Sequence, residues 1–371
     1  MHGRRRRAML APLLTDSGRD HAATSERPEP APRAWPLWKP ILFLLVVAVG
    51  LYYVKWQPYY GKAFVAADSH SIGKSILADG AASPWLAAWQ YALVYFTAVW
   101  KAALLGVLLG SLVQVLIPRD WLARTLGHRR FSGTVLGALI ALPGMMCTCC
   151  AAPVAAGMRR QSVSSGAALA FWLANPVLNP ATLVFMGFVL GWPFAAIRLV
   201  AGVVMVLGIA WLVQRVTAND PQPAAPQPLV LTAQSDERPF LARWGKALWA
   251  LFWSTIPIYV LAVLALGAAR VWLFPHADGA VDNSLLWIIG LAIVGCLFVI
   301  PTAAEIPIVQ TMMLAGMGAG PALALLMTLP AVSLPSLLML NKAFSARALC
   351  LTAALVALCG VLTGVVGMGL V

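Results

Sequence analysis

The chain of 371 residues is 61% hydrophobic and 11% charged, with a mean hydropathy of +0.82, whereas a soluble domain is roughly half apolar and about a quarter charged. That excludes an ordinary soluble fold, because only a bilayer accepts so much outward apolar surface, and runs of about 20 apolar residues recur along the chain. The formal net charge of +13 does not signal nucleic-acid binding: Lys and Arg sit at the ends of apolar runs, not on one continuous face, which is the positive-inside pattern of a membrane protein.

In chain order, the Arg4–Arg7 tract precedes only a few apolar residues before Thr15-Asp16-Ser17-Gly18, too few for the core of a signal peptide. Residues 1–34, rich in Pro and Arg, are therefore expected to form a disordered cytoplasmic tail. Residues 35–83 hold an extra N-terminal transmembrane helix, with its apolar run at 40–56, and an external loop. In that loop Gly73-Lys74-Ser75 imitates the end of a phosphate loop, but Asp68 stands where the leading glycine is required. Membrane repeat one, 84–216, contains the apolar runs 84–117, 131–158, 164–190 and 193–216. A Pro/Gln-rich polar linker at 217–239, expected in the cytoplasm, leads into membrane repeat two, 240–371, with runs at 241–273, 284–313, 318–340 and 346–371. Lys101 and Arg198, inside apolar runs, read as snorkelling or interfacial side chains.

The halves are related. A shift of 154 positions, without a gap, pairs Thr148 with Thr302, Pro153 with Pro307, Met158 with Met312, Gly166 with Gly320 and Pro176 with Pro330. A common frame for Pro and Gly is harder to reach by chance than matched apolar residues. Loop charge then sets orientation. Arg119, Arg124, His128, Arg129 and Arg130 follow the first helix of repeat one, while the matching loop of repeat two, 275–283, has Asp278 and Asp282 and neither Lys nor Arg. Conversely, Lys342 and Arg347 fall late in repeat two, where repeat one has Gly191-Trp192-Pro193. These contrasts predict oppositely oriented copies. The run 131–158 has a basic loop at each end and, at about 28 residues, is too short for two spans of roughly 20; it is expected to be a re-entrant hairpin, with 284–313 its counterpart from outside. The fold class expected is an all-α polytopic membrane protein: two inverted repeats with re-entrant hairpins and broken helices, plus one extra N-terminal transmembrane helix, each repeat contributing three crossings and a hairpin.

Chemistry concentrates at the hairpin tips, 145–153 and 300–307, and at two breaks, Asn175-Pro176-Val177-Leu178-Asn179-Pro180 and Pro330-Ala331-Val332-Ser333-Leu334-Pro335. Paired prolines remove backbone donors and unwind a helix, and unwound backbone survives at membrane depth only when packed in protein or lining a polar cavity. Breaks at matching places in two inverted halves point to a midplane substrate site; a simple proline kink is the plainer alternative. Asn175 and Asn179 orient solute or satisfy freed backbone groups, the second role being the default. Cys147, Cys149 and Cys150 put three thiols within four residues, a soft donor set suited to a metal or metalloid such as trivalent arsenic. Apolar filler is the competing role, and the expected one for Cys296, Cys350 and Cys359. Cys147 and Cys150 also form a C-x-x-C pair, but a redox relay across the membrane would want sulfur in both halves, and repeat two has Pro301, Ala303 and Ala304 there. Glu305 is the one acid of the hairpin and break regions. A carboxylate in hydrocarbon is by default functional, as a proton-coupling group or a ligand for a cationic substrate, against a structural bond to the other hairpin. No catalytic set is found.

Cys147-Thr148-Cys149-Cys150-Ala151-Ala152-Pro153, the Gly166–Phe171 stretch and Asn175-Pro176, echoed by Glu305-Ile306-Pro307 and the Gly320–Ala324 stretch, resemble the bacterial predicted-permease family that includes ArsP-type organoarsenical efflux permeases. The resemblance covers most of 84–371. It implies a permease of the bacterial plasma (inner) membrane, and the arsenical-exporting members imply capture of trivalent organoarsenicals by Cys147, Cys149 and Cys150. The chain departs from the usual family pattern in its adjacent Cys149-Cys150 and in the lack of cysteine in its second motif, so a different soft metal, a thiol compound or a small anion stays open as substrate. The expectation is a secondary-type transporter, not an enzyme, with a membrane thiol-disulfide oxidoreductase as the alternative. Its partners are the lipid bilayer, a small-molecule or metalloid substrate and protons as candidate coupling ions; no cofactor and no nucleic acid are expected, and a homo-oligomer is compatible with the sequence.

Overall fold

The structure, a computed structural model, describes residues 38–73, 84–219, 239–273 and 281–369. The expected tail at 1–34, most of the linker (220–238), Lys74-Ser75 and residues 274–280 of the acidic loop lie outside the described residues.

Every regular element among the described residues is helical. The chain enters as α1 (Trp38–Leu51), passes through one π-helical turn (Tyr52–Trp56) and continues as α2 (Gln57–Ser69). The apolar run ends near Trp56, but the helix does not. The wider π turn absorbs Pro58, which cannot supply the backbone donor of a regular turn. The rest of the first half is α3 (Pro84–Leu116), α4 (Arg119–Leu126), α5 (Phe131–Ala141), a 3-10 turn (Leu142–Gly144), α6 (Thr148–Arg160), α7 (Ser165–Val177), α8 (Pro180–Val189) and α9 (Trp192–Val216). The second half is α10 (Phe240–Leu273), α11 (Leu285–Leu297), α12 (Glu305–Leu314), α13 (Ala319–Thr328), α14 (Leu334–Leu340) and α15 (Ala346–Met368). Helix starts recur in the sequence frame: 131 against 285, 165 against 319, 180 against 334 and 192 against 346, each 154 positions on.

Among the described residues six helices are long and apolar enough to cross a membrane: Trp38–Ser69, Ala88–Leu116, Ser165–Val189, Trp192–Val216, Phe240–Ala269 and Ala346–Met368. The segment 318–340, expected as a further crossing, does not qualify because α13 stops at Thr328 and the chain is non-helical until Leu334. Pro330 and Pro335 interrupt the donor ladder there.

The halves join through α3 against α10 and α9 against α15, while α6 packs on α14 and α8 on α12. Within each half the chain entering a pair of short helices meets the chain leaving it: Ser164 N donates to Leu126 O at 2.9 Å, and 154 positions on Gly318 N donates to Val281 O at 2.9 Å. Helix α3 reaches α6 through glycines. A Cβ at Gly110 would lie 2.6 Å from the Pro153 carbonyl oxygen, and one at Gly157 would lie 2.6 Å from that of Gly110, so close backbone packing replaces side-chain interdigitation, as is common where lipid offers helices no hydrophobic drive to associate. Basic ends gather together: Arg129 donates to Ala218 O beyond α9, Arg159 to Ala343 O beyond α14, and Arg160 to Gln114 near the end of α3. Lys101 is exposed on α3 with its ammonium over the Trp100 ring, as expected of a snorkelling side chain.

Candidate functional site

Each short-helix pair turns at a tip held in left-handed backbone by a non-glycine residue, Met145 with φ 47° and Ala303 with φ 69°. Such conformations are costly and concentrate at functional sites. After the first tip Cys147 is the N-cap of α6. Because Cys147 and Cys150 lie one helical turn apart, their sulfurs meet at 2.9 Å; both thiols are free and buried. Cys149 turns elsewhere. Its Sγ lies 3.6 Å from Ser333 Oγ and 3.8 Å from Thr148 Oγ1, and these two hydroxyls are 3.1 Å apart. Ser333 caps α14 through a capping box with Ser336, so the first thiol motif meets the second break where α6 and α14 begin. Tyr95 stands beside Cys149 and receives the Tyr259 hydroxyl at 2.6 Å. Among the described residues no group of three His, Cys, Asp or Glu side chains is disposed to hold a metal ion: the three thiols divide into a pair and a single.

At the first break, Pro176 stays in α7, the helix stops after Val177, and Pro180 starts α8. Asn175 is buried and engaged by backbone, Nδ2 donating to Phe171 O at 2.9 Å and Oδ1 accepting from Met146 N at 3.4 Å. It thereby ties the break to the tip before Cys147. Asn179 caps α8, its Oδ1 accepting from Ala181 N and Thr182 N, while its Nδ2 is buried without a protein partner. The backbone role expected by default is thus occupied in both residues.

Arg198 requires a correction. It neither snorkels nor sits at an interface: it is 0% exposed, and its Nη1 meets Glu305 Oε1 at 2.9 Å. Nη2 donates to Pro176 O at 2.9 Å and Nε to Val177 O at 3.2 Å. The guanidinium therefore reads the carbonyls freed by the first break and neutralises the acid of the second hairpin. The planar fork of Arg is suited to such multiple recognition. Glu305 Oε2 keeps no protein partner.

The sequence reading also passed over Lys55. It lies in the π turn, 5% exposed, and its Nζ donates to Tyr59 Oη at 3.3 Å and to Thr302 Oγ1 at 3.2 Å. The next residue, Trp56, donates from Nε1 to Pro143 O at 2.9 Å. Consecutive residues of the extra helix thus pin the second tip and the first. Lys55 therefore sits between the tips, at Thr302 of the second and next to the residue bonded to Pro143, four residues before Cys147. The signal missed was a lysine one residue before the end of an apolar run, which resembles an interfacial anchor unless the helix is known to continue. A cleft between α6, α10 and α14 runs from buried Ala152 to exposed Lys342, and its charged lining residues, Arg160 and Lys342, are both positive.

Six candidate spans among the described residues, with ionic and thiol groups buried where interrupted helices meet, put the chain in the class of helical multi-pass membrane proteins. The sequence profile of the ArsP_1 family, described as "Predicted permease", matches residues 94–368, and the chain belongs to that family. It is 73% identical over 327 residues to the UPF0718 protein YraQ of Escherichia coli (strain K12), covering 88% of this chain and 94% of the relative. It is 22% identical over 309 residues to the UPF0718 protein MJ0584 of Methanocaldococcus jannaschii, covering 65% of this chain and 84% of the relative. The UPF0718 protein YcgR of Bacillus subtilis (strain 168) matches at 30% over 80 residues, 22% of this chain and 27% of the relative. No solved structure matches.

Proposed function

We propose that this permease exports a small thiol-reactive solute from the bacterial cytoplasm across the inner membrane, with a trivalent organoarsenical as the leading candidate, and that it works as a secondary transporter from two inverted repeats. The observation that carries the reading is the buried Cys147–Cys150 pair, its sulfurs 2.9 Å apart at the start of α6. Two facing thiols suit a soft trivalent centre. Each As–S bond forms as an As–OH bond breaks, and the thiol proton leaves with the hydroxide as water; no oxidant is needed. A monosubstituted arsenical carries two hydroxyls and is filled by Cys147 and Cys150; Cys149, held by Ser333 and Thr148, is a third thiol for an inorganic trivalent centre such as antimonite, which has a third hydroxyl to lose as water. Glu305, with one oxygen on Arg198 and the other unpartnered, is the coupling carboxyl, and Asn179 offers its spare Nδ2 to the polar lining. Asn175 holds the tip in register. The common basic end of α3, α6, α9 and α14 supports a cytoplasmic face there, and the meeting of the chain ends that flank α5–α6 and α11–α12 supports re-entrant hairpins.

The test is accumulation of methylarsenite, antimonite, copper(I) and zinc in everted vesicles. Uptake of at least one, lost in Cys147→Ser/Cys150→Ser and reduced in Glu305→Gln, is the expected result. Uptake unaffected by the cysteine changes would remove thiol capture. A second reading, thiol-disulfide exchange, is favoured by the position of Cys147 as N-cap in C-x-x-C, the setting that activates a thiol for attack. It predicts a mixed disulfide with a partner protein trapped by Cys150→Ser and absent from Cys147→Ser/Cys150→Ser.

A further inference from the structure

We infer that Lys55 contacts the cargo and that the cargo is anionic: a small compound combining a soft thiol-reactive centre with a negatively charged group. The inference deepens the thiol-capture reading and rests on it.

The helix carrying Lys55 shows most of its surface to lipid; the residues it buries are Leu51, Lys55 and Ala66. A lysine on a lipid-facing helix ordinarily extends its stem to carry the ammonium toward water. Lys55 instead points inward, where an ammonium is expensive to keep without a counter-charge. Its protein partners are hydroxyls of Tyr59 and Thr302, and among the described residues no carboxylate pairs with it. Glu305 lies three residues beyond Thr302, yet its paired oxygen is committed to Arg198, which is itself committed to Pro176 and Val177. The interior around the tips therefore holds one cancelled pair and one surplus positive group, and that group is bonded to Thr302 of the second tip while its chain neighbour Trp56 is bonded to Pro143, four residues before Cys147. Two further features have the same sign. Helix α6 presents its N-terminus at Cys147, contributing a partial positive charge, and the charged lining of the neighbouring cleft is Arg160 and Lys342. A cation would meet repulsion at every step, and a neutral cargo would leave Lys55 uncompensated.

The experiment measures binding of two probes with one arsenic(III) warhead to the purified protein in lipid nanodiscs: neutral phenylarsine oxide and its anionic 4-carboxyphenyl analogue. Wild type is compared with Lys55→Met, Lys55→Arg and Cys147→Ser/Cys150→Ser. Wild type is expected to bind the carboxylated probe at least about ten-fold more tightly than the neutral one, and Lys55→Met to abolish that preference while changing the neutral affinity by less than about two-fold. Lys55→Arg keeps the preference, and the double cysteine variant loses both probes. Equal binding of both probes to wild type overturns the inference, as does a Lys55→Met variant that weakens both alike, since Lys55 would then only staple the second tip. Failure of both probes on wild type is a different result, which removes thiol capture and this inference together. The wild-type comparison needs no substitution, so misfolding of Lys55→Met cannot shelter the proposal.

Discussion

Arg198 spends its guanidinium on three acceptors from two halves of the chain, the carbonyls of Pro176 and Val177 and the carboxylate of Glu305. Both charged side chains are essentially unexposed, so removing one strands the other in a low-dielectric interior at a cost of about 3–5 kcal/mol. Arg198→Met is therefore expected to destabilise the detergent-solubilised protein by about that amount. Arg198→Met/Glu305→Gln should recover part of the loss, because it buries no unpaired charge. Thermal unfolding of the wild type, both single variants and the double variant checks this. Strict additivity of the two single effects would mean that the pair does not interact. Arg198 was illegible in sequence for a physical reason. Hydropathy marks a charge within an apolar run but not the face on which it lies, and the partner is 107 residues away.

At the scale of elements, much more could be read beforehand. Proline and glycine act on their own backbone, so their spacing carries information without knowledge of the fold: the breaks at 178–179 and 329–333 and the 154-residue recurrence of helix starts follow from Pro176, Pro180, Pro330, Pro335 and their neighbours. That the thiols fall at a turn between two apolar segments was likewise legible. Their division into a pair and a single was not, since it depends on α14 bringing Ser333 to Cys149. The continuation of the first helix through Pro58 was also hidden, because a π turn leaves no signature in composition. One expectation for the elements concerns the α3–α6 seam. At Gly106 any Cβ would collide with the carbonyl of Cys150, an obstacle of backbone that no rotamer change relieves. Gly106→Val should force α3 off the thiol-bearing turn, destabilise the protein by about 1–3 kcal/mol and speed labelling of Cys150 by a small maleimide. Gly208, with nothing within 4 Å of its added Cβ, is the matched control, and Gly208→Val should leave labelling unchanged. Equal labelling in both variants would show that the glycine seam does not guard the thiols.

For the whole molecule, orientation decides whether one chamber can open alternately to two sides. If the repeats were inserted in the same sense, both tips would enter from one face, and rocking one half against the other could not exchange access. The charge at the two hairpin bases supports the proposed opposite senses. Arg129 and Arg160 tie the two ends of the first hairpin to the ends of α9 and α3, at a basic surface of the kind retained in the cytoplasm. The second hairpin closes at Val281 with Gly318, and Asn283 accepts from Gly320 N at 3.0 Å, in a stretch whose charged residue is the acid Asp282. Arg130 and Asp282 are both exposed and sit just before α5 and α11, so they report the two hairpin bases directly. In a cysteine-free background, Arg130→Cys should react with a membrane-impermeant maleimide only in everted vesicles and Asp282→Cys only in intact spheroplasts. Labelling of both from one side would dismiss the inverted arrangement and, with it, a chamber served from two faces by the same paired tips.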